Sequence, residues 1–416
     1  MANGNATRAS RGHRTIYVPI SEEHYAQIVN DPQQFRRMLD ECFRQTPELF
    51  PKNFAQGYQL KDDRTSTKQN VRIRRIVLKD AVAYTVLPSF LMPYMTARTQ
   101  EVQGPLFLRK FGVPFWALAL VFGGDPMFWY RIECTLGRFS VVGTTVRQAE
   151  MPADLLADEH HQSRDGQKVF IATTVAAGCC LGAEPALSAG TDDLKAAYET
   201  FKNEAREITA DYAPRTVSTD GWKGTQAAWK ALFPKVVILL CFLHAWIKIR
   251  DRAKHLKESF VDISRRVWEA YHAPDRRCFG QRLRWLRQWA TKNLSGIVQA
   301  NVLDLCRKRP RFALAFDHPT GHRTSNMLDR VMRGMNGYFD RGQHFHGSSE
   351  ACRRHCRAWA LLWNFAPWNP ATTRENKNWR CPAERLNQHR YHEEWLQNLL
   401  ISASLGGYRC SCPQNS

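Results

Sequence analysis

Two aspartates in this sequence follow or precede segments with the pattern of β-strands. Asp220 comes directly after the segment 216–219 and before Gly221, where the chain must turn ahead of a predicted helix. Asp158 lies upstream of the β-branched segment 169–176. Carboxylates that converge from separate elements are the ligands with which proteins hold Mg²⁺ or Mn²⁺, and two such ions promote reactions at phosphodiester bonds. These positions therefore indicate a metal-dependent site.

Each of these aspartates also has an ordinary structural interpretation. Asp220 is a candidate N-cap of the helix that follows it, and Asp158 a candidate cap or surface residue. Asp154 and Glu159 compete with Asp158 by proximity alone.

A third carboxylate is expected on a helix farther along the chain. Thr324 or Ser325 is suited to cap a helix that carries Asp329 in its first turns. Glu350, in a second helical segment, is the main alternative.

Cys241 and His244 close the strand predicted after Asp220. A Cys-x-x-His pair is half of a common zinc site, but no equally spaced second half is present in the sequence. We therefore favour a positional or DNA-contacting role for this pair.

The surrounding pattern predicts an α/β domain. Strands are predicted at 169–176, 181–188, 216–219 and 236–242, and they alternate with helices at 191–208 and 222–232. This order predicts a mixed sheet. Residues 245–315 then become helical and basic, with candidate DNA-binding residues Arg282, Arg284 and Arg287.

The first region, 15–150, is rich in helix signals and is predicted to be a helical DNA-binding region. Two short apolar helices are expected at 113–122 and 125–136, separated by Gly123 and Gly124. Such a pair within 106–137 matches a loose helix-turn-helix, with an ordinary helical hairpin as the alternative. The candidate DNA-binding cations of this region are Arg109, Lys110, Arg131, Arg138 and Arg147.

The charge balance favours a polyanionic partner. The chain has 59 Lys and Arg against 39 Asp and Glu, a formal net charge of +20, which points to nucleic acid first and an acidic membrane surface second. No apolar run approaches the roughly 18 residues of a membrane span, and the polar, basic residues 1–14 lack the apolar core of a secretory signal. Residues 1–14 are predicted to be a disordered arm. The 12 cysteines without a signal favour reduced thiols in a cytoplasm.

Four ordered motifs resemble the core of Mutator-like bacterial insertion-sequence transposases, which are DDE/D-type enzymes. The segment 218–229 reads STDGWKGTQAAW, followed by Phe233-Pro234 and then Cys241-x-x-His244. The segment 324–329 reads TSNMLD and is similar to the motif that carries the third acidic residue of that family. The family usually has Glu at this last position, where this chain has Asp329. The resemblance covers roughly 155–365, about half of the chain.

The resemblance implies an RNase H-like catalytic core at 151–370, a mixed sheet flanked by helices, with an all-α insertion at 245–315 and a C-terminal tail at 371–416. It implies Asp158, Asp220 and Asp329 as ligands of two Mg²⁺ or Mn²⁺ ions, with Cys241, His244 and Asn326 as positional residues. Its partners would be double-stranded DNA, as terminal repeats and target, and further copies of the chain in a dimer or larger assembly. The expected location is the bacterial cytoplasm, at the nucleoid.

The implied activity is cleavage of DNA at the ends of a mobile element and strand transfer into target DNA. Two alternatives stay open at this point. A non-catalytic DNA-binding regulator, such as a domesticated or decayed transposase, explains the charge equally well, and a nuclease of the same fold would cut DNA without joining it.

Overall fold

A computed structural model describes residues 11–67, 69–147, 151–341, 345 and 347–408. The predicted disordered arm thus lies outside the described residues, except for 11–14, which form a single 3₁₀ turn. Within the described part of the chain, no helix combines the length and the apolar character that a membrane crossing requires.

The first half of the N-terminal region contains a sheet that the sequence pattern did not predict. Its strand order is β1-β4-β3-β2, with β1 parallel to β4 and the other neighbours antiparallel. The strands are β1 (Thr15–Val18), β2 (Tyr58–Ser66), β3 (Val71–Leu78) and β4 (Ala83–Pro88). The prediction of a helical region over 15–150 is therefore wrong for these four strands. Strand β2 is polar and is joined to β3 by cross-strand ion pairs such as Arg72–Asp63, so it has no apolar alternation that would reveal it.

Helices surround this sheet and continue beyond it. They are α1 (Glu22–Ile28), α2 (Pro32–Gln45), α3 (Thr99–Arg109), α4 (Phe115–Phe122), α5 (Pro126–Leu136) and α6 (Val141–Thr145). Helices α4 and α5 confirm the two short helices predicted at 113–122 and 125–136. Asp125 caps α5 by accepting a hydrogen bond from the backbone N–H of Met127, at 2.7 Å.

A five-stranded mixed sheet forms the centre of the second region, in the order β7-β6-β5-β8-β9. Strands β5, β6 and β7 are antiparallel neighbours, whereas β8 and β9 extend the sheet as parallel strands. The strands are β5 (Asp154–Arg164), β6 (Gln167–Ala176), β7 (Cys179–Ala186), β8 (Thr216–Thr219) and β9 (Val237–Leu240). The predicted α/β class and mixed sheet are confirmed, with one addition: Asp158 lies inside strand β5 rather than ahead of the first strand.

Helices cover both faces of this sheet. Helices α7 (Thr191–Ile208) and α8 (Lys223–Leu232) bury Tyr198, Phe201 and Trp229 against one face. On the other face pack α14 (Asn326–Arg341) and α15 (Ser349–Phe365), which bury Met335 and Trp359. The sheet is therefore held rigidly between two helical layers, which fixes the ends of its strands.

Residues 242–317, between β9 and α14, are entirely helical apart from short turns. They have an apolar core of their own, in which Phe242, Ile249 and Leu283 are buried. The helices are α9 (Phe242–Ala253), α10 (Glu258–Tyr271), α11 (Arg276–Asn293), α12 (Gly296–Arg307) and α13 (Arg309–Asp317). We call these residues the helical segment.

The chain returns to the N-terminal sheet at its end. Helices α16 (Pro370–Glu375), α17 (Pro382–Asn387) and α18 (Trp395–Ser402) follow α15. Leu399 and Leu400 of α18 are buried in the same core as Ile16 of β1, and the Ser404 hydroxyl accepts a hydrogen bond from the backbone N–H of Tyr17 at 3.0 Å. The predicted tail at 371–416 is thus, as far as residue 408, an integral part of the N-terminal core, and residues 409–416 lie outside the described residues.

Candidate active site

Strand register sets Asp158 and Asp220 side by side. In the parallel pair β5–β8, Asp154 lies opposite Thr216 and Leu156 opposite Ser218, so each residue of β5 faces the residue 62 positions later. Asp158 and Asp220 have this same separation, two residues beyond the last registered pair. Because neighbouring strands lie about 4.8 Å apart, the two carboxylates leave the sheet next to each other where the parallel ladder ends.

The electrostatics of this pair reflect its closeness. Burial, together with the negative charges of Asp220 and Glu159, raises the pKa of Asp158 to about 7, against the opposing effects of the Glu159 backbone N–H and the nearby His244. The backbone N–H of Glu159 donates to Asp158 Oδ1 at 2.8 Å. A divalent cation would fit here, because its charge would offset both the burial and the repulsion that raise the pKa of Asp158.

The turn after β8 holds Asp220 in place. Gly221 has a φ of +107°, in the region that favours glycine, and allows the chain to turn directly after the carboxylate. The backbone N–H of Trp222 donates to Asp220 Oδ1 at 2.7 Å. Trp222, and not Asp220, occupies the N-cap position of α8. Asp220 is therefore a residue of the turn, and the helix-cap interpretation does not hold.

The two rivals of Asp158 are engaged elsewhere. Glu159 accepts hydrogen bonds from the Tyr198 hydroxyl at 2.7 Å and the Thr225 hydroxyl at 2.8 Å, on the face covered by α7 and α8. Asp154 forms an ion pair with Arg215 at 2.5 Å. Asp158 is thus the acidic residue of this strand that lies with Asp220.

A chain of hydrogen bonds leads from the end of the next strand to Asp329. The backbone N–H of Cys241 donates to the carbonyl of Thr219 at 2.8 Å, which continues the β8–β9 ladder by one residue. The Cys241 thiol donates to the Ser325 hydroxyl at 3.3 Å, and this hydroxyl donates to Asp329 Oδ2 at 3.0 Å. Ser325 therefore fixes the start of α14 against the strand ends and orients Asp329.

His244 contributes positive charge beside the two aspartates. A hydrogen bond with Cys241, together with the charges of Cys241, Asp158 and Asp220, raises the pKa of His244 to about 9, against the opposing effect of burial. Burial would raise the pKa of the Cys241 thiol, but its hydrogen bond and charge interaction with His244 lower it. This arrangement supports the predicted positional role of Cys241 and His244.

The third carboxylate is connected to the strand ends but is not assembled with the pair. Among the described residues, no group of three or more His, Cys, Asp or Glu side chains has the arrangement of a metal site. Glu350 forms an ion pair with Arg354 at 2.9 Å and lines a different cavity, with Tyr94 and Arg138. Asp329 is thus the better-placed candidate, while the predicted positional residue Asn326 is exposed at the first position of α14.

A cleft opens between Asp220 and the helical segment. It encloses about 140 Å³ and is lined by Asp220 and Trp222 on the sheet side and by Lys248, Lys308 and Arg311 on the helical side. The Trp222 side chain is 53% exposed. These four neighbours of Asp220 could not be recognised from the sequence, because only the docking of the helical segment onto the strand ends brings them together.

Three of the predicted DNA-binding cations are structural instead. Arg109 is buried and pairs with Glu133 at 2.5 Å, and Lys110 is buried and donates to the carbonyl of Ala366 at 2.7 Å. Arg147 pairs with Glu48 at 2.8 Å. For Arg109 and Lys110 the DNA-binding prediction is wrong, because α3 packs its cationic end into the protein, where carboxylate and carbonyl oxygens neutralise it. Arg147, partly buried, is held by its ion pair.

The remaining predicted cations differ in availability. Arg131 and Arg138 are exposed on and just after α5, and Arg284 and Arg287 are exposed on α11. Arg282 donates a hydrogen bond to the carbonyl of Glu269. Arg284 and Arg287, together with the cations of the cleft, therefore place accessible positive charge on the helical segment.

Comparison with known proteins found no family model and no curated protein that matches this chain.

Proposed function

We propose that this protein is a metal-dependent DNA transposase, with Asp158 and Asp220 at the centre of its active site. The observation that carries the proposal is the strand register that pairs these two carboxylates, together with the raised pKa of Asp158. Perturbed carboxylates beside an open cleft are typical of catalytic sites.

The architecture supports an RNase H-like core. A mixed sheet is flanked by helices on both faces, as the resemblance implies. The helical segment lies between β9 and α14, and thus between Asp220 and Asp329, where the family has its insertion. The order of the strands, the helical segment and α14 along the chain is therefore the order in which the family's motifs occur.

Asp158 and Asp220 would hold Mg²⁺ or Mn²⁺, with two ions in the complete site and Asp329 as the third ligand. The bound metal would activate the attacking water or 3′-hydroxyl and stabilise charge at the phosphorus. Asp158 must give up its proton for this role, so cation binding should release a proton near neutral pH. Ser325 orients Asp329, and the positive His244 limits repulsion between the carboxylates.

The cleft supplies a path for one DNA strand. Lys248 would bind a phosphate beside Asp220, and so would Lys308 and Arg311 once released from Asp304 and Gln226, their present partners. Trp222 presents a face on which a base can stack. Arg284 and Arg287 would contact phosphates farther from the cut. Double-stranded DNA as substrate, assembly into a dimer or larger oligomer, and a place at the bacterial nucleoid belong to the same proposal.

A DNA-binding regulator without catalysis is the second candidate. It is favoured by one observation: Asp329 stands where the family that the chain resembles usually has Glu, and its side chain is shorter by one methylene group.

The deciding experiment is a strand-transfer assay with Mn²⁺ and duplexes taken from the DNA that flanks the gene. We expect the wild-type protein to cut these ends and join them to target DNA, and Asp220→Asn to lose both steps. Asp211→Asn, a change of an exposed aspartate outside the site, is the matched control. Full activity of Asp220→Asn would exclude the catalytic proposal, and cutting without joining would identify a nuclease.

A second comparison tests the third ligand. Asp329→Asn should lower activity as strongly as Asp220→Asn, whereas Glu350→Gln should leave it close to wild type. The reverse result would assign the third position to Glu350. A third outcome is that the wild type and all three variants bind DNA normally but none of them cuts it. In that case the protein is a DNA-binding regulator.

A further inference from the structure

The hairpin of α4 and α5 exposes an unusual set of large apolar side chains. These are Trp116 (65% exposed), Leu120 (78%), Val121 (71%), Phe122 (46%) and Met127 (49%). We call them the apolar hairpin surface. Exposed apolar patches of a few hundred Å² are often interaction sites.

Most of these side chains are not part of the packing inside the hairpin. Leu118 and Trp129 face inward and are buried, and the Trp129 indole N–H donates to the carbonyl of Gly123 at 3.0 Å. Phe122 contacts the edge of the Trp129 ring, with 6.3 Å between the ring centroids. Trp116, Leu120 and Val121 are each more than 60% exposed and are therefore available for a contact outside the chain.

The charge of the surface argues against DNA as its occupant. From residue 111 to residue 130 the sequence contains no Lys, Arg or His, and Asp125 is the one charged residue. Contacts with phosphates provide much of the affinity of DNA-binding proteins and require cations. The two nearest preceding cations, Arg109 and Lys110, are buried. The predicted helix-turn-helix thus has the expected helices but lacks the surface chemistry for DNA.

We propose that the apolar hairpin surface docks against the same surface of a second copy of this chain. A two-fold contact brings identical patches together, so a cationic patch repels itself. In a chain with a net charge of +20, an uncharged surface is where two copies meet without that repulsion. Five side chains of this size and exposure present on the order of 500 Å² of apolar area, a large part of the roughly 800 Å² per partner in a specific contact.

The test is the mass of the full chain in solution, measured by sedimentation equilibrium without DNA or metal. At about 10 µM, a dimer with a Kd near 1 µM is mostly associated. We expect the wild type to have twice the chain mass of 48.0 kDa. Leu120→Arg should sediment as a monomer, because the symmetric contact would place two like charges together.

The matched control is Val261→Arg, which adds the same charge at a residue of similar exposure (64%) on α10. It should remain a dimer. Trp116→Lys is a second variant of the surface and should dissociate as Leu120→Arg does, and circular dichroism checks that all variants stay folded. A monomeric wild type, or a folded Leu120→Arg that remains dimeric, would overturn the proposal.

A membrane surface is the other possible occupant for such a patch. Co-sedimentation of the wild type with phosphatidylcholine vesicles, abolished in Leu120→Arg, would also overturn self-association. Because no step of this test uses DNA or metal, its result does not depend on the proposed transposase activity.

Discussion

The two regions that the sequence marked as DNA-binding, α3–α5 and the helical segment, have opposite surfaces. In α3–α5 the cations Arg109 and Lys110 are buried and apolar side chains such as Leu120 are exposed. In the helical segment the arrangement is reversed: Ile249 and Leu283 are buried, while Arg284 and Arg287 are exposed. A cationic residue in a sequence therefore indicates a nucleic-acid contact only after its burial is known.

The reason lies in what each helix packs against. Arg109 lies beside α5 and α14, where Glu133 is fully buried and accepts hydrogen bonds from Arg109 and the Tyr338 hydroxyl. Burial would raise the pKa of Glu133, but the charges of Arg109 and His355 lower it to about 2. The helical segment packs its apolar faces on one another, so Arg284 and Arg287 have solvent as their surroundings.

The largest expected effect concerns the buried ion pair. Arg109→Ala should lower the free energy of unfolding by about 3–5 kcal/mol, because it leaves the Glu133 carboxylate buried without its partner. Arg284→Ala, at an exposed position, should change it by less than about 0.5 kcal/mol. Urea unfolding of both variants measures the difference. If both variants change the free energy of unfolding by the same small amount, Arg109 is not buried in solution, and α3–α5 and the helical segment do not differ in the burial of their cations.

The next effect is a pH dependence that comes from Lys110. Burial lowers its pKa to about 8, whereas in the unfolded chain it stays near 10.5. Between these values the unfolded chain holds more protons, so the free energy of unfolding should rise with pH. Relative to Lys110→Met, the wild type should gain roughly 2–3 kcal/mol between pH 8 and 10.5. The control is Lys248→Met, at an exposed position, whose free energy of unfolding should differ from that of the wild type by the same amount at every pH. If the difference between the wild type and Lys110→Met is also independent of pH, Lys110 is exposed to solvent.

A smaller effect is expected on DNA affinity. The double variant Arg284→Ala, Arg287→Ala should bind duplex DNA more weakly, and the slope of log K against log salt should fall by about 0.9 for each phosphate that is no longer neutralised. Fluorescence anisotropy with a labelled duplex at several salt concentrations measures this slope. Arg44→Ala, an exposed arginine of α2, is the control and should leave it unchanged. An unchanged slope in the double variant would mean that α11 does not face DNA.

The smallest effect is expected at Arg131. It is exposed on α5, next to the apolar hairpin surface, and a single arginine there would neutralise at most one phosphate. Arg131→Ala should therefore reduce the salt slope by about 0.9 or less. If Arg131→Ala reduces the slope more than the α11 double variant does, α5 and not the helical segment contacts DNA, as the helix-turn-helix interpretation predicts.

Parts of the fold follow directly from local pattern. The helix predicted at 191–208 and the strand at 216–219 have the bounds that the structure gives them, because one has helical periodicity with acidic residues in its first turn and the other is a short β-branched segment. Strand β5 was missed. Its second half is polar, since that part pairs with β6 and interacts with polar groups of α14 such as Asn336.

Some residues of the candidate site could likewise be identified from the sequence, and others could not. Asp220 and its following glycine were identified from the sequence, and so were Cys241 and His244. Asp158 was implied by the resemblance, and the structure adds that Glu159, which points to the opposite face of the strand, is engaged by Tyr198 and Thr225. Trp222 was next to Asp220 in the sequence, but its role in the cleft required the position of Lys248 and Arg311.

The sequence by itself determined the α/β class, the two hairpin helices, the strand-end aspartate and the large positive charge. These depend on local periodicity, turn chemistry and composition, which are properties of neighbouring residues. Only the tertiary structure decided that Asp158 and Asp220 are in register, that Arg109 and Lys110 are buried, and that the hairpin surface is apolar. Register and burial depend on contacts between residues far apart in the chain, and such contacts leave no local pattern.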